Sequence, residues 1–211
     1  MKPVDHKIYL ASKSPRRREL LRQIGVEFEL LLLRDQSPRG PEVSEEVLDG
    51  ENAEDYVQRV TREKAEFGAK VMMMRRLPIR PVLAADTTVV IDERILGKPA
   101  NDAEAMDMLR SLSGRTHQVL TSVALHSEDD TAQILQVSEV TMAPLSEDMM
   151  RAYCATPEPY DKAGGYGIQG MAAVFVERIV GSYTGIMGLP LHETSRLLQQ
   201  AGIRVMGSLG N

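Results

Sequence analysis

Four short segments of this 211-residue sequence carry side chains that suit the binding and cleavage of a phosphorylated substrate. The first, Ser12-Lys13-Ser14-Pro15-Arg16-Arg17, lies where a predicted strand passes into a predicted helix. A helix N-terminus presents unpaired N–H groups and the positive end of the helix dipole, and guanidinium groups donate paired hydrogen bonds to phosphate. The segment therefore suits an anion site, although a capped surface helix with solvated arginines would use the same residue types.

The second segment, Ala84-Ala85-Asp86-Thr87-Thr88, places Asp86 directly after an apolar run that is predicted to form a strand. Strand ends in α/β proteins deliver ligand groups to one edge of the sheet. A carboxylate there can hold a divalent metal or accept a proton from water. The alternative is an aspartate at a strand end that bonds only to its own turn.

Two lysines add candidate positive charges. Lys98 lies in Leu96-Gly97-Lys98-Pro99, between a predicted hairpin and a helix, and Lys64 lies in Arg62-Glu63-Lys64-Ala65 on a long predicted helix. Either ammonium could pair with a phosphate, and either could be an ordinary surface charge.

The fourth segment, 160–170, reads YDKAGGYGIQG and contains four glycines, which predicts positive φ angles or a close backbone approach. Gln169 carries a donor and an acceptor, which suits the edge of a nucleobase. The segment is neither a P-loop nor a dinucleotide-binding fingerprint, because it lacks G-K-[ST] and the required strand and helix. The four histidines show no metal-ligand spacing, and Cys154 has no activating neighbours in the sequence.

The elements that must position these residues alternate between strand and helix at both ends of the chain. Strands are predicted at 8–12, 26–33, 82–85, 117–125, 132–142 and 173–179, with a hairpin over 87–96 that turns at 92–93. Helices are predicted from Pro15 to Gly25, over 53–74, from Asp102 to Gly114, over 146–155 and from Leu191 to just before Gly202. The pattern predicts an α/β fold with a mixed sheet, in one domain over 1–211 with a frayed tail at 206–211. The connection from Arg34 to Glu51 exceeds the usual length and predicts a mobile or functional loop.

Composition narrows the class of protein. The formal charge of −5 means that a polyanion can bind only where basic residues converge or a metal bridges the charges. Aromatic residues make up 4% with no Trp, so a stacking platform for nucleic acid is not expected. A single cysteine, no signal-peptide pattern and no apolar run of membrane-spanning length predict a cytoplasmic protein without a membrane partner, with an organelle matrix as the alternative.

Six segments in order, LASKSPRRRELL, REKA, AADTTVVIDERILGKP, LSGRTHQVLTSVAL, YDKAGGYGIQG and GLPL, resemble the Maf family of nucleotide pyrophosphatases. The resemblance implies an elongated, two-lobed α/β structure similar to inosine triphosphate pyrophosphatases, a divalent cation such as Mg²⁺ or Mn²⁺, and a homodimer. It implies that Ser12, Arg16 and Arg17 bind the substrate. It also implies that Lys64 and Lys98 take part in catalysis, and that Asp86 is the proton acceptor and a metal ligand.

Three positions indicate a subgroup within that family. Arg16, Thr87 and Gln169 resemble the members that cleave dTTP and UTP, and not those that carry Trp, Gln and Glu there and prefer methylated GTP. The resemblance therefore implies house-cleaning hydrolysis of dTTP, UTP or modified pyrimidine nucleotides to the monophosphate and pyrophosphate. The alternatives are a non-catalytic nucleotide-binding regulator of cell division or septum formation, and a phosphatase that removes the terminal phosphate. Many members carry an acidic pair after the second strand, and here the corresponding stretch offers Asp35 as a metal ligand.

Overall fold

The computed structural model describes residues 6–33 and 43–206. Its strands are β1 (Ile8–Leu10), β2 (Phe28–Leu30), β3 (Val82–Ile91), β4 (Arg94–Leu96), β5 (Thr116–Ser127), β6 (Asp130–Met142) and β7 (Val176–Val180). Its helices are α1 (Pro15–Gln23), α2 (Ala53–Met74), α3 (Asp102–Leu112), α4 (Glu147–Cys154), α5 (Tyr183–Met187) and α6 (Leu191–Gln200). Short 3₁₀ turns span Glu158–Asp161, Ala163–Gly165 and Met171–Phe175. No helix in the described ranges is long and apolar enough to cross a membrane.

The strands form one mixed sheet in the order β2-β1-β3-β5-β6-β7, with β4 paired to the far end of β3. β1 lies between β2 and β3 and is parallel to both. The remaining pairs are antiparallel, including the long β5–β6 hairpin. The predicted α/β class with a mixed sheet is confirmed.

The third strand is longer than predicted. The sequence suggested a strand over 82–85 and a separate hairpin arm, but β3 runs without a break from Val82 to Ile91. The reason is its partner β5, which pairs with it from Val82↔His126 to Val90↔Gln118. Asp86 therefore lies within a strand and not at its end, so the strand-end interpretation of this residue was wrong.

Strand β1 ends early and leaves part of one edge of β3 unpaired. Leu10 is the last residue of β1 and pairs with Leu83, whereas β3 continues for eight more residues. Between Leu83 and Val89, where the pairing with β4 begins, this edge of β3 thus has no strand partner among the described residues. Asp86 and Thr87 lie on this uncovered stretch.

Strand alternation then sends neighbouring side chains of β3 to opposite faces of the sheet. Val82 and Ala84 pack in the cluster that contains Ala65 and Ala69 of α2. Leu83 and Ala85 pack on the other face, in the cluster that contains Leu20 and Leu21 of α1 and Leu197 and Leu198 of α6. By the same alternation Asp86 faces α2 and Thr87 faces α1.

The last predicted strand also differs from the structure, and one helix was not predicted. The strand expected over 173–179 begins only at Val176, because Met171–Phe175 forms a 3₁₀ turn. The Glu158 carboxylate accepts hydrogen bonds from the backbone N–H groups of Met171 and Ala172, at 2.9 and 3.3 Å, and this contact caps the turn from a distant part of the chain. Helix α5 was missed because five residues are too few to show a helical period.

Candidate active site

One cleft of about 660 Å³ opens where β1 ends and α1 begins. It is lined by all eight residues that the sequence singled out within the described ranges: Ser12, Arg16, Arg17, Lys64, Asp86, Thr87, Lys98 and Gln169. These residues come from the β1–α1 junction, α2, β3, the loop after β4 and the Gly-rich segment. The fold thus brings together groups that are up to 157 positions apart in the chain.

The start of α1 forms one wall. Ser14 occupies the predicted N-cap position and Pro15 follows it, but the Ser14 side chain makes no capping bond. Instead the Ser12 hydroxyl oxygen accepts from the Ser14 backbone N–H at 3.2 Å. The Ser14 hydroxyl is buried and has no partner among the described residues. The helix start therefore keeps a free hydroxyl beside its unpaired N–H groups, which suits an incoming anion.

Arg17 is already held by the protein on three sides. Its Nε donates to the Gly188 carbonyl oxygen at 2.7 Å, Nη1 to the Ser12 hydroxyl at 3.3 Å and Nη2 to the Thr87 hydroxyl at 3.1 Å. Burial lowers its pKa, against the attraction of Asp86. Each Nη keeps one further N–H. Arg17 therefore fixes the relative positions of α1, β3 and Gly188, and has limited donor capacity left for a substrate.

The Thr87 hydroxyl belongs to a hydrogen-bond chain whose direction is fixed. The Gly185 carbonyl oxygen can only accept, so the Thr121 hydroxyl donates to it at 2.8 Å. Thr121 must then accept from Thr87, 3.0 Å away, and Thr87 in turn accepts from Arg17. The Thr87 proton is thus committed inside the protein, and Thr87 positions Arg17 more directly than it presents a donor to the cleft.

On the opposite face of β3, Asp86 contacts Lys64 of α2. The Lys64 ammonium lies 2.8 Å from Asp86 Oδ1 and 2.6 Å from Glu45 Oε1. Burial alone would lower the pKa of Lys64, but the attraction of Asp86 and Glu45 outweighs it and raises the pKa. α2 reaches this position because Gly68 packs against Val82, where an added Cβ would lie 2.8 Å from a methyl carbon of that valine. Lys64 is therefore a charged group clasped by two carboxylates.

Glu45 is a site residue that sequence reasoning missed. The acidic pair expected from the family resemblance was sought directly after the second strand, at Asp35, which lies outside the described residues. The structure shows that the pair Glu45-Glu46, ten positions further along, lines the cleft. The sequence does show two adjacent glutamates in the long loop. Their spacing from Lys64 along the chain did not predict that one of them would contact this lysine.

The Gly-rich segment forms the wall across from α1. Gly164 and Gly165 adopt φ angles of 71° and 70°, as the glycine content predicted. At Gly170 an added Cβ would lie 2.4 Å from both carboxylate oxygens of Glu158, so that side chain would have to move. The prediction of positive φ angles and close backbone approach is therefore confirmed. Gln169 is exposed on this wall.

A salt bridge joins the two walls. Arg16 Nη1 donates to Asp161 Oδ2 at 3.0 Å, so the start of α1 and the Gly-rich side meet directly. Asp161 also contacts the Lys162 ammonium. Lys98 is exposed on the rim of the cleft. Lys98 is therefore the most exposed of the predicted phosphate-binding cations, whereas Arg16 is half-buried in its salt bridge.

Behind the Gly-rich wall lies a buried pair that the sequence did not indicate. His117 Nε2 is 2.7 Å from the hydroxyl oxygen of Tyr166, which lines the cleft. His117 is 2% exposed, and its Nδ1 has no partner among the described residues. Burial lowers the pKa of His117 to about 4. The imidazole is therefore neutral at physiological pH.

The lining has a net positive charge although the chain is acidic. Among the described residues, six basic side chains line the cleft: Lys13, Arg16, Arg17, Lys64, Lys98 and Lys162. Four acidic side chains also line it: Glu45, Glu46, Asp86 and Asp161. The formal charge of this lining is therefore +2, against −5 for the whole chain. The local convergence of basic residues that a polyanion would require is present.

Comparison with known proteins identifies close relatives. A family model described as "Maf-like protein" matches residues 7–201. The dTTP/UTP pyrophosphatase of Ralstonia nicotianae is 54% identical over 197 residues, which are 93% of this chain and 94% of the relative. The dTTP/UTP pyrophosphatase of Aromatoleum aromaticum is 53% identical over 203 residues, 96% of this chain and 98% of the relative.

Among solved structures, the Ham1 protein of Staphylococcus aureus is similar to this chain with a TM-score of 0.40 and 16% identity. The match covers 65% of this chain and 72% of that protein. At that score the likeness supports no conclusion about the cleft.

Proposed function

This chain belongs to the Maf-like protein family, and from that premise we propose that it hydrolyses dTTP and UTP to the nucleoside monophosphate and pyrophosphate. One observation supports this function above the others. A single cleft with a net positive lining holds an aspartate on one side of β3 and the arginine network on the other. Phosphoryl transfer depends mainly on positioning and on charge stabilisation, and this arrangement offers both.

We propose that the triphosphate binds between the start of α1 and the rim lysine. Lys98 supplies exposed positive charge, and Arg16 adds a second cation to the lining. The region of Ser12 and Ser14 supplies hydroxyl and N–H donors. Arg17 adds charge while it holds the wall together through Thr87 and Gly188. Guanidinium groups suit this task because their planar geometry matches phosphate oxygens.

Asp86 is proposed as the proton acceptor for the attacking water. The water oxygen bonds to the α-phosphorus, the bond from that phosphorus to the bridging α–β oxygen breaks, and pyrophosphate leaves with the bond's electron pair. The water proton passes to the Asp86 carboxylate. Lys64 donates a hydrogen bond to Asp86 Oδ1 at 2.8 Å and so orients the carboxylate. Lys98 and Arg16 would stabilise the charge that develops on the leaving group.

The residues also fit a divalent cation. Asp86 and Glu45 both contact one cationic group, the Lys64 ammonium, so their oxygens already converge. Carboxylate oxygens are preferred ligands of Mg²⁺ and Mn²⁺. No group of three or more His, Cys, Asp or Glu in the described ranges could hold a metal, so the substrate and water would complete the ligand shell. When bound, the cation would polarise the α-phosphoryl group and offset part of the substrate's roughly four negative charges.

The Gly-rich wall is proposed to read the base. Gln169 is exposed there and can pair through its amide with both a carbonyl and an N–H of uracil or thymine. Small neighbouring residues allow a flat ring to approach the backbone.

The expectations of a homodimer and a cytoplasmic location rest on the resemblance and the composition, and stay predictions.

A nucleotide panel with Mg²⁺ or Mn²⁺, scored for pyrophosphate and orthophosphate, tests this function. We expect pyrophosphate and monophosphate in equal amounts from dTTP and UTP, and smaller amounts from purine triphosphates. Orthophosphate as the sole product would indicate a phosphatase. Tight nucleotide binding without any product would indicate a regulator that retains the cleft.

A further inference from the structure

The segment Ser44–Glu51 presents Glu45 to the cleft although it forms no helix or strand. It precedes α2 and is exposed over most of its length. A short irregular segment needs specific contacts to hold one carboxylate 2.6 Å from the Lys64 ammonium. Those contacts come from two residues of α2 that do not themselves line the cleft.

Arg59 makes most of these contacts. Its Nε and Nη2 donate to the two carboxylate oxygens of Glu51, at 2.7 and 2.9 Å, which is a bidentate ion pair. Nη2 also donates to the Glu46 carbonyl oxygen at 2.9 Å. The side chains of Arg59 and Glu51 are 21% and 9% exposed, so the pair is largely shielded from water. A planar guanidinium can make these bonds together, whereas a lysine ammonium cannot match the geometry.

Tyr56, one turn earlier on α2, contacts Glu45 itself. Its hydroxyl donates to the carbonyl oxygen of Glu45 at 3.0 Å. The Arg59 guanidinium lies 5.8 Å from the centre of the Tyr56 ring, so the two side chains also support each other. Because a carbonyl oxygen can only accept, the hydroxyl proton of Tyr56 is directed at the Glu45 backbone.

We propose that Arg59 and Tyr56 are positioning residues that hold Ser44–Glu51 on α2 so that the Glu45 carboxylate reaches Lys64 and Asp86. The inference rests on the proposed function, in which Glu45 and Asp86 together hold the divalent cation. Neither Arg59 nor Tyr56 lines the cleft, so we expect their effect on turnover to pass through the segment they hold.

The test compares Arg59→Met with Arg62→Met. Arg62 lies one turn further along the same helix, where it donates to Gln133 Oε1 at 3.1 Å and pairs with Glu66, but it does not contact Ser44–Glu51. We expect Arg59→Met to lower kcat for pyrophosphate release from dTTP by about ten- to a hundredfold, because small displacements of catalytic groups have effects of that size. Arg62→Met should stay within about twofold of wild type.

A double-mutant cycle identifies the route of the effect. In a Glu45→Gln background, Arg59→Met should lower kcat by less than about twofold further, since the carboxylate it positions is already gone. Tyr56→Phe removes one hydrogen bond and keeps the ring, so it carries the test if Arg59→Met does not fold; we expect a loss of about fivefold that also vanishes in the Glu45→Gln background. Equal losses in both backgrounds would overturn the inference.

Hydrogen exchange tests the same inference without activity. The Leu48 N–H donates to Glu51 Oε2 at 3.0 Å and the Glu51 N–H donates to the Leu48 carbonyl at 3.0 Å. Arg59→Met should speed exchange at both amides, whereas Arg62→Met should leave it unchanged. Unchanged exchange in Arg59→Met would overturn the inference even if the wild type cleaves dTTP. Absence of pyrophosphate from the wild type, with exchange faster in Arg59→Met, would overturn the proposed function alone.

Discussion

The buried pair of His117 and Tyr166 predicts how the stability of this protein depends on pH. The pKa of His117 is lowered by burial to about 4 in the folded chain, whereas an unfolded histidine titrates near 6.5. Below about pH 6.5 the unfolded chain therefore binds a proton that the folded chain does not. Stability from this group is fully present above about pH 6.5, falls as the pH drops towards 4, and levels off below that value.

The size of the effect follows from the two pKa values. At pH 5, protonation favours the unfolded chain by a factor of about 30 through this one residue, which corresponds to about 2 kcal/mol of unfolding free energy. At pH 7.5 the same contribution is close to zero. A domain of this kind has about 5–15 kcal/mol of stability in total, so the loss is readily measured.

Urea unfolding at pH 7.5 and pH 5.0, followed by circular dichroism, measures the difference. His117→Gln removes the titrating ring, and the variant should lose about 2 kcal/mol less than wild type between these pH values. His192→Gln, at an exposed histidine, serves as the control and should behave as wild type does. If wild type and His117→Gln lose the same amount, the neutral buried imidazole is not the source and the reasoning is refuted.

Three further changes test the site directly. Asp86→Asn should lower kcat by about a hundredfold or more with the fold retained, because the amide cannot accept the proton; a variant that keeps more than about a tenth of wild-type kcat would remove Asp86 from the central role. Gln169→Glu should lower kcat/KM for dTTP and UTP by about ten- to a hundredfold and less for a purine triphosphate, and equal losses on all nucleotides would contradict base reading. Gly170→Ala should destabilise the protein by about 1–3 kcal/mol in urea unfolding, because its Cβ would displace the Glu158 carboxylate; an unchanged midpoint would show that this wall is loosely packed.

Much of the fold could be predicted from the sequence because it depends on local patterns of residues. α2 begins and ends where its Asn52 cap and apolar period predicted, over Ala53–Met74. The break expected between Ala85 and Thr87 was wrong because β5 pairs across it, and such pairing depends on residues about 36 positions away. Local sequence carries no signal for that partner.

In the candidate site, too, local patterns could be predicted and contacts between distant residues could not. The predicted residues lie in one cleft. The sequence could indicate them because Ser14-Pro15 marks a helix start and four glycines mark a turn-rich wall. Glu45 was missed because its relevance depends on Arg59 and Tyr56, which hold an irregular segment by side-chain contacts. The hydrogen bond from Arg17 to the Gly188 carbonyl oxygen could not be predicted from the sequence either, since it joins residues 171 positions apart.

The uninterrupted β3 strand limits how this protein can change over evolutionary time. Asp86 and Thr87 are adjacent, yet one faces Lys64 and the other faces Arg17, and only the two-residue period of the strand keeps them apart. Point substitutions on the Gly-rich wall leave that period unchanged. A one-residue insertion or deletion between Val82 and Asp86 would exchange the two faces, turning the carboxylate towards α1 and the hydroxyl towards α2. Lineages of this chain should therefore accumulate length variation in loops and tolerate none in the first half of β3.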